Sequence, residues 1–353
     1  MPGKTSPPTI MALSCKTFIL TLFFPLLFLH TTAQSGYSIQ QHDAPPIKSI
    51  RGMSVLNNGV IWISGTEGKV GRSTDYGGHW DWITVPGYDS CDWRSLVAFS
   101  DKRALLLNAG EPAHLLQTTD GGATWKEVYT NRTKGIFFDG MAFRNAKEGI
   151  AIGDPIDGRF MVIRTKDGGS TWQEDPVDAR PIAKEGEAIF AASGTSVRTR
   201  PDGEVCFVTG GNISRFISGW EKWTPVEWNF THGSAGTGAF SVAFADKQHG
   251  VAVGGDYTKD TVTANNCLIT KDGGRSWQPV ITPPGGYRSC VQYVGYNTFV
   301  ATGTSGTDIS EDGGLNWYKI SKEGYHVAGF ALKGRYVWLA GSKKLASFNT
   351  YKL

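Results

Sequence analysis

Five segments of this 353-residue chain share one spelling, Ser/Thr-x-Asp-x-Gly-x-x-Trp. They place Asp75, Asp120, Asp167, Asp272 and Asp312 two residues before a glycine and five before Trp80, Trp125, Trp172, Trp277 and Trp317. Repetition in register decides the architecture, because each copy is one unit of an array that buries its apolar face only against its neighbours. The motif has the chemistry of a tight turn between antiparallel strands. Its aspartate accepts backbone N–H bonds across the turn. Its glycine suits positive φ. Its tryptophan opens the next strand with a ring that packs between neighbouring sheets. The five aspartates are therefore read as structural groups rather than catalytic ones. A degenerate sixth copy, Ser218–Trp223, keeps tryptophan and lacks the aspartate.

A second series alternates with the first. Apolar runs end in glycine near Gly65, Gly110, Gly153, Gly210, Gly255, Gly303 and Gly341, at roughly the 40–50-residue spacing of a four-stranded propeller blade. Glycine supplies 45 residues, with no collagen-like period, and its concentration in short turns between apolar runs points to an all-β chain. Seven copies predict a seven-bladed β-propeller. The last copy lacks a final strand, and closure removes exposed sheet edges. Tyr37–His42 is expected to supply the missing strand, so both termini share blade 7. Six blades with a partial appendage is the alternative.

With 40% hydrophobic and 19% charged residues, a disordered chain is excluded. Residues 1–33 read as a cleavable signal peptide: Lys4 and Lys16 precede an apolar run at Phe18–Leu29, and small residues lead to Ala33. The run is shorter than the ~20 residues a membrane span needs. The expected mature chain, 34–353, is a secreted or periplasmic monomer with no membrane span. The formal charge of +3 includes Lys4 and Lys16, so the remainder is near neutral and gives no case for nucleic acid. Cys91, Cys206, Cys267 and Cys290 lie too far apart for a metal pattern. An even count permits disulfides, whereas buried free thiols are the simpler reading of the last three.

The tandem turns are those of Asp boxes (BNR repeats), and the chain resembles the photosystem II stability/assembly factor-like family over nearly its whole mature length. It is more distantly similar to sialidase-like Asp-box proteins. The first resemblance implies a non-enzymatic factor that binds a partner protein. The second implies a glycoside hydrolase.

Propeller geometry puts the Ser/Thr-x-Asp turns on one face. The turns after each second strand, and the starts of the inner strands, fall on the other. Ligands usually bind propellers at that second face. It is expected to collect Arg51, Arg94, Asp139, Glu187, Arg288 and His326 from the inner-strand starts, with Tyr287 and Tyr325 beside the last two. Glu111, Asp154 and Asp256 come from the turns, and the two longest loops add Arg159 and Tyr257. Such charges are costly around a narrow channel unless they pair with each other, with water or with a ligand. They are read either as salt bridges plugging the channel or as a pocket for a protein partner's acidic side chains or an acidic saccharide.

A hydrolase would need two carboxylates ~5–9.5 Å apart. Asp139, Asp154, Glu187 and Asp256 are the candidates, and a sialidase-like variant would set Arg51, Arg94 and Arg288 on a substrate carboxylate. The Arg-Ile-Pro order of sialidases is absent, the nearest sequence being Arg180-Pro-Ile182. No cofactor and no metal site is expected, since no tight histidine pair or phosphate-binding loop occurs.

Overall fold

Each repeat folds as four antiparallel strands whose burial peaks at the second strand and is least at the outermost. In blade 1, Ile61–Gly65 is buried at every position, whereas the outer strand Asp81–Thr84 is largely exposed. The second strand of each blade is sandwiched between neighbouring sheets, so it reads as an unbroken apolar run rather than an alternating one. Val205–Val208 and Ala104–Asn108 repeat the pattern.

The computed structural model describes residues 1–6, 8, 36–331 and 333–350. It divides into units 1–34 and 35–353, the second of which is the propeller. The apolar run Phe18–Leu29 and the cleavage site at Ala33 lie outside the described residues. Among those described, no helix is long and apolar enough to cross a membrane.

Seven sheets follow in chain order. Their inner strands are Ile50–Val55, Trp93–Ala98, Phe138–Phe143, Val197–Thr199, Ser234–Phe244, Cys290–Gly295 and Val327–Gly329. The seventh sheet is completed from the other end of the chain, where Gln40–Gln41 pairs antiparallel with Lys344–Asn349, Gln40 opposite Ser347. His42 stacks on Trp338 at 4.8 Å beside this closure. Six blades with an appendage are thereby excluded.

The five tandem turns share one geometry. In blade 3 the Thr165 hydroxyl donates to Asp167 Oδ1 (2.8 Å) and accepts from the Gly169 amide (2.8 Å), while Asp167 Oδ1 accepts from the Thr171 amide (3.0 Å). Gly169 sits at φ 92°, and a side chain there would strike Leu105 of blade 2. The tryptophans pack across blade boundaries: Trp125 against Trp62, Trp277 against Phe216, and Trp80 against Trp338. The glycine ending the second strand has a different cause. A Cβ at Gly153 would collide with the Phe137 carbonyl, where the chain crosses to begin its inner strand. All four described cysteines are free and buried.

Blade 4 departs from expectation. Its inner strand is Val197–Thr199, so Glu187 does not begin it. Instead Glu187–Ala188 pairs with Gly210–Gly211, which joins the edge of the blade 5 sheet. Residues 189–195 then enter the axial channel. Ala192 accepts a hydrogen bond from Arg51 of blade 1, and the Ser193 hydroxyl donates to the Ser289 carbonyl ahead of blade 6. This segment bridges the channel and leaves one cavity on each side.

Candidate binding site on the propeller axis

Opposite the end of the second strand, four inner strands skip one residue in their pairing with it. Ile50 and Gly52 face Gly65 and Ser64, leaving Arg51 unpaired. The same displacement isolates Arg94, Asp139 and Phe240 in blades 2, 3 and 5. A further one in the second strand of blade 3 isolates Asp154. A β-bulge re-aims the extra side chain, and all five of these residues line a single cavity of about 430 Å³ at the end of the channel. Tyr257, Tyr287, His326 and Phe190 complete its wall.

One side is cationic. Arg51 donates from Nη1 to the Ala192 carbonyl (2.8 Å) and forms no ion pair with any described residue. Burial and the neighbouring Arg94 charge lower its pKa. Arg94 is bonded through Nε to Asp92 (2.7 Å). His326 is pushed down to about 4 by burial and then by Arg51, so it is neutral at pH 7 and adds no charge.

The carboxyls opposite are held towards the neutral form. Asp139 is fully buried, and among the described residues neither of its oxygens finds a hydrogen-bond donor. Burial, followed by the Asp154 charge, raises its pKa well above the carboxylate range. Arg94 opposes this, as do the Ala191 and Asp154 amides, which approach without reaching hydrogen-bond geometry. Asp154 accepts the Ile189 amide (2.9 Å), and burial raises it to about 6. The third wall is aromatic: Phe190 stacks on Phe240 with centroids 3.9 Å apart, and Tyr287 meets Phe240 edge-on at 4.8 Å. The cavity thus offers two guanidiniums, a buried acid able to donate a proton in a hydrogen bond, and ring surface.

The other expected site residues lie elsewhere. Glu187 is bound by Arg215 (Nε 2.8 Å, Nη2 2.5 Å) and by the Thr209 hydroxyl (2.6 Å). Arg288 turns away from the axis to Asp308 (Nε 2.5 Å), and Tyr287 faces the cavity in its place. Asp256 closes its own turn on Thr258, whose hydroxyl hydrogen bond lowers its pKa. Glu111 accepts the Gly135 amide (2.8 Å). Arg159 donates to the Arg180 carbonyl (2.8 Å) and lines a separate groove. Hence Glu187, Asp256, Glu111, Arg159 and Arg288 are not part of the axial cavity. Sequence reasoning missed Phe190 and Phe240, and also the acids and bases that neutralise Glu187 and Arg288. Arg215 and Asp308 lie in third strands that are buried almost throughout, Arg215–Gly219 and Gly306–Ser310.

No protein-family model matches the sequence, and no curated protein matches it. Solved structures do. One described as YCF48 bound to D1 peptide superposes with a TM-score of 0.65 at 17% identity, covering 89% of this chain and 97% of the other. YCF48 from Cyanidioschyzon merolae gives 0.62 at 18%, covering 88% and 99%. The Pan2 WD40 domain of Neurospora crassa gives 0.59 at 13%, covering 86% and 90%. Likeness at these identities establishes the fold: the chain is a seven-bladed β-propeller similar to these proteins over most of its length.

Proposed function

We propose that this chain is an exported Asp-box propeller that acts without catalysis, binding an acidic segment of a partner protein in the axial cavity during assembly of a larger complex. The observation that carries this reading is Arg51. Its guanidinium is partly buried beside a second guanidinium and lacks a carboxylate partner among the described residues. A carboxylate entering from a ligand would relieve both the repulsion and the desolvation, as bidentate Arg–carboxylate pairs do. The aromatic wall suits an apolar side chain next to that acid. The likeness to a YCF48 structure bound to a peptide supports a peptide as the ligand class. Export rests on the Lys4–Ala33 leader.

A peptide library displayed on phage and selected on the full chain tests this. Enrichment of Asp- or Glu-containing peptides that are lost on an Arg51→Glu/Arg94→Glu double variant is expected. Selection without acidic enrichment, or equal capture by the variant, contradicts the proposal.

A second reading has one specific observation in its favour. Asp139 and Asp154 share the cavity and couple electrostatically, as the two carboxyls of a glycosidase do. Glycan turnover abolished by Asp139→Asn would favour it over the binding role.

A further inference from the structure

We infer that the opposite end of the channel is a second binding site, for a small anion held by Arg198. The cavity on that side of the 189–195 segment measures about 300 Å³ and includes Arg198, Thr199, Gln292, Ser54, Met141 and Phe330 in its wall. Arg198 donates from Nη2 to Gln292 Oε1 (3.1 Å). Among the described residues neither its Nε nor the Thr199 hydroxyl has a hydrogen-bond partner, and both atoms are buried.

The fully buried guanidiniums of this propeller have carboxylates, Arg215 with Glu187 and Arg288 with Asp308, whereas Arg198, half-buried like Arg51, lines a cavity without one. Arg198 forms no ion pair with any described residue. The ionisable groups nearest it are the thiols of Cys290 and Cys206, and burial pushes the Cys206 thiol up to about 12. That thiol is therefore no counter-ion at neutral pH. Burial of the guanidinium lowers the Arg198 pKa, as expected for a cation left without its complement. An unpaired buried charge is costly, whereas the same charge next to a cavity is a ready anion site. The space admits chloride, a short carboxylate or inorganic phosphate, and Gln292 and Thr199 supply polar groups beside them.

Thermal unfolding of the full chain in sodium chloride, sodium acetate and sodium phosphate tests the site. A saturable rise in Tm with at least one of these anions is expected, because a ligand of the folded state stabilises it by mass action. Arg198→Gln should weaken the apparent affinity at least ~10-fold, the usual consequence of deleting one partner of a desolvated charge pair. Arg159→Gln, outside both cavities, should not change it. If Arg198→Gln does not fold, Arg198→Lys and chloride NMR line broadening of the wild type, displaced by acetate, give the same answer. Absence of a saturable response to all three anions, or a response that survives Arg198→Gln, overturns the site.

Discussion

Two sets of charges that look alike in the sequence behave oppositely in the fold. Glu187 and Arg288 meet Arg215 and Asp308 inside the protein. Arg51, Arg94, Asp139 and Asp154 open onto a shared cavity, where Arg51 and Asp139 have no carboxylate or donor of their own. The difference is made by the backbone. Where an inner strand carries an extra residue opposite the end of the second strand, that residue leaves the ladder and lines the cavity. In blade 6 it is Ser289 that lines the cavity, and Arg288, one residue earlier, lies beside the sheet and finds Asp308 in the third strand. A charged residue at the start of a propeller strand is thus a cavity residue or a buried salt bridge according to one unit of register.

The widest separation between the sets should appear in stability. Asp308→Ala leaves Arg288 buried and unpaired, and is expected to cost about 3–5 kcal/mol in urea unfolding, the range for breaking a buried pair. Glu187→Ala, which strands Arg215, should cost a similar amount. Arg51→Gln should cost far less, since it strands no charged partner among the described residues. Equal losses in all three would erase the distinction.

The pH dependence of stability sharpens it next. Asp154 titrates near 6 in the folded state against 3.8 ordinarily. The folded chain therefore keeps this proton longer than the unfolded chain does. Its contribution is most favourable below pH ~4 and is lost as pH rises through ~6, on the order of 2–3 kcal/mol. His326 works the other way. Lowered from 6.5 to about 4, it makes the unfolded state bind protons more readily, so stability is lost as pH falls from 6.5 towards 4. The two slopes oppose each other in the wild type. Asp154→Asn should tilt the stability profile upwards with pH between 4 and 6, and His326→Asn should tilt it downwards. Parallel profiles for the wild type and both variants would show that neither group feels the cavity.

The smallest effect belongs to the opposite face of the disc. Thr165→Val removes a hydroxyl that both donates to Asp167 and accepts from Gly169, and should cost about 1–2 kcal/mol without altering ligand binding.

The architecture was legible because its determinants are local: a turn spelled by Thr165, Asp167, Gly169 and Trp172 is read within eight residues, and the closing strand followed from a missing one. The site was half legible. Arg51, Arg94, Asp139, Asp154, Tyr257 and His326 were found from their place in the repeat, which is all that a position near the axis requires. Glu187 was misplaced because the segment between Glu174 and Val197 breaks the repeat and crosses the channel, and no period marks where the next inner strand begins. The pairing of Arg288 with Asp308 was invisible, because it depends on which residue at the start of an inner strand is turned to the axis, and that position has no consistent residue type: Arg, Asp, Phe and Ser all occupy it here.

The most direct measurement is calorimetric titration of one acidic peptide, selected on the wild-type chain, into Arg51→Gln and Arg159→Gln. Both variants remove one positive charge, the first inside the axial cavity and the second outside it. The axial account predicts at least ~10-fold weaker binding to Arg51→Gln and wild-type affinity for Arg159→Gln. Equal weakening by both, or by neither, would contradict it.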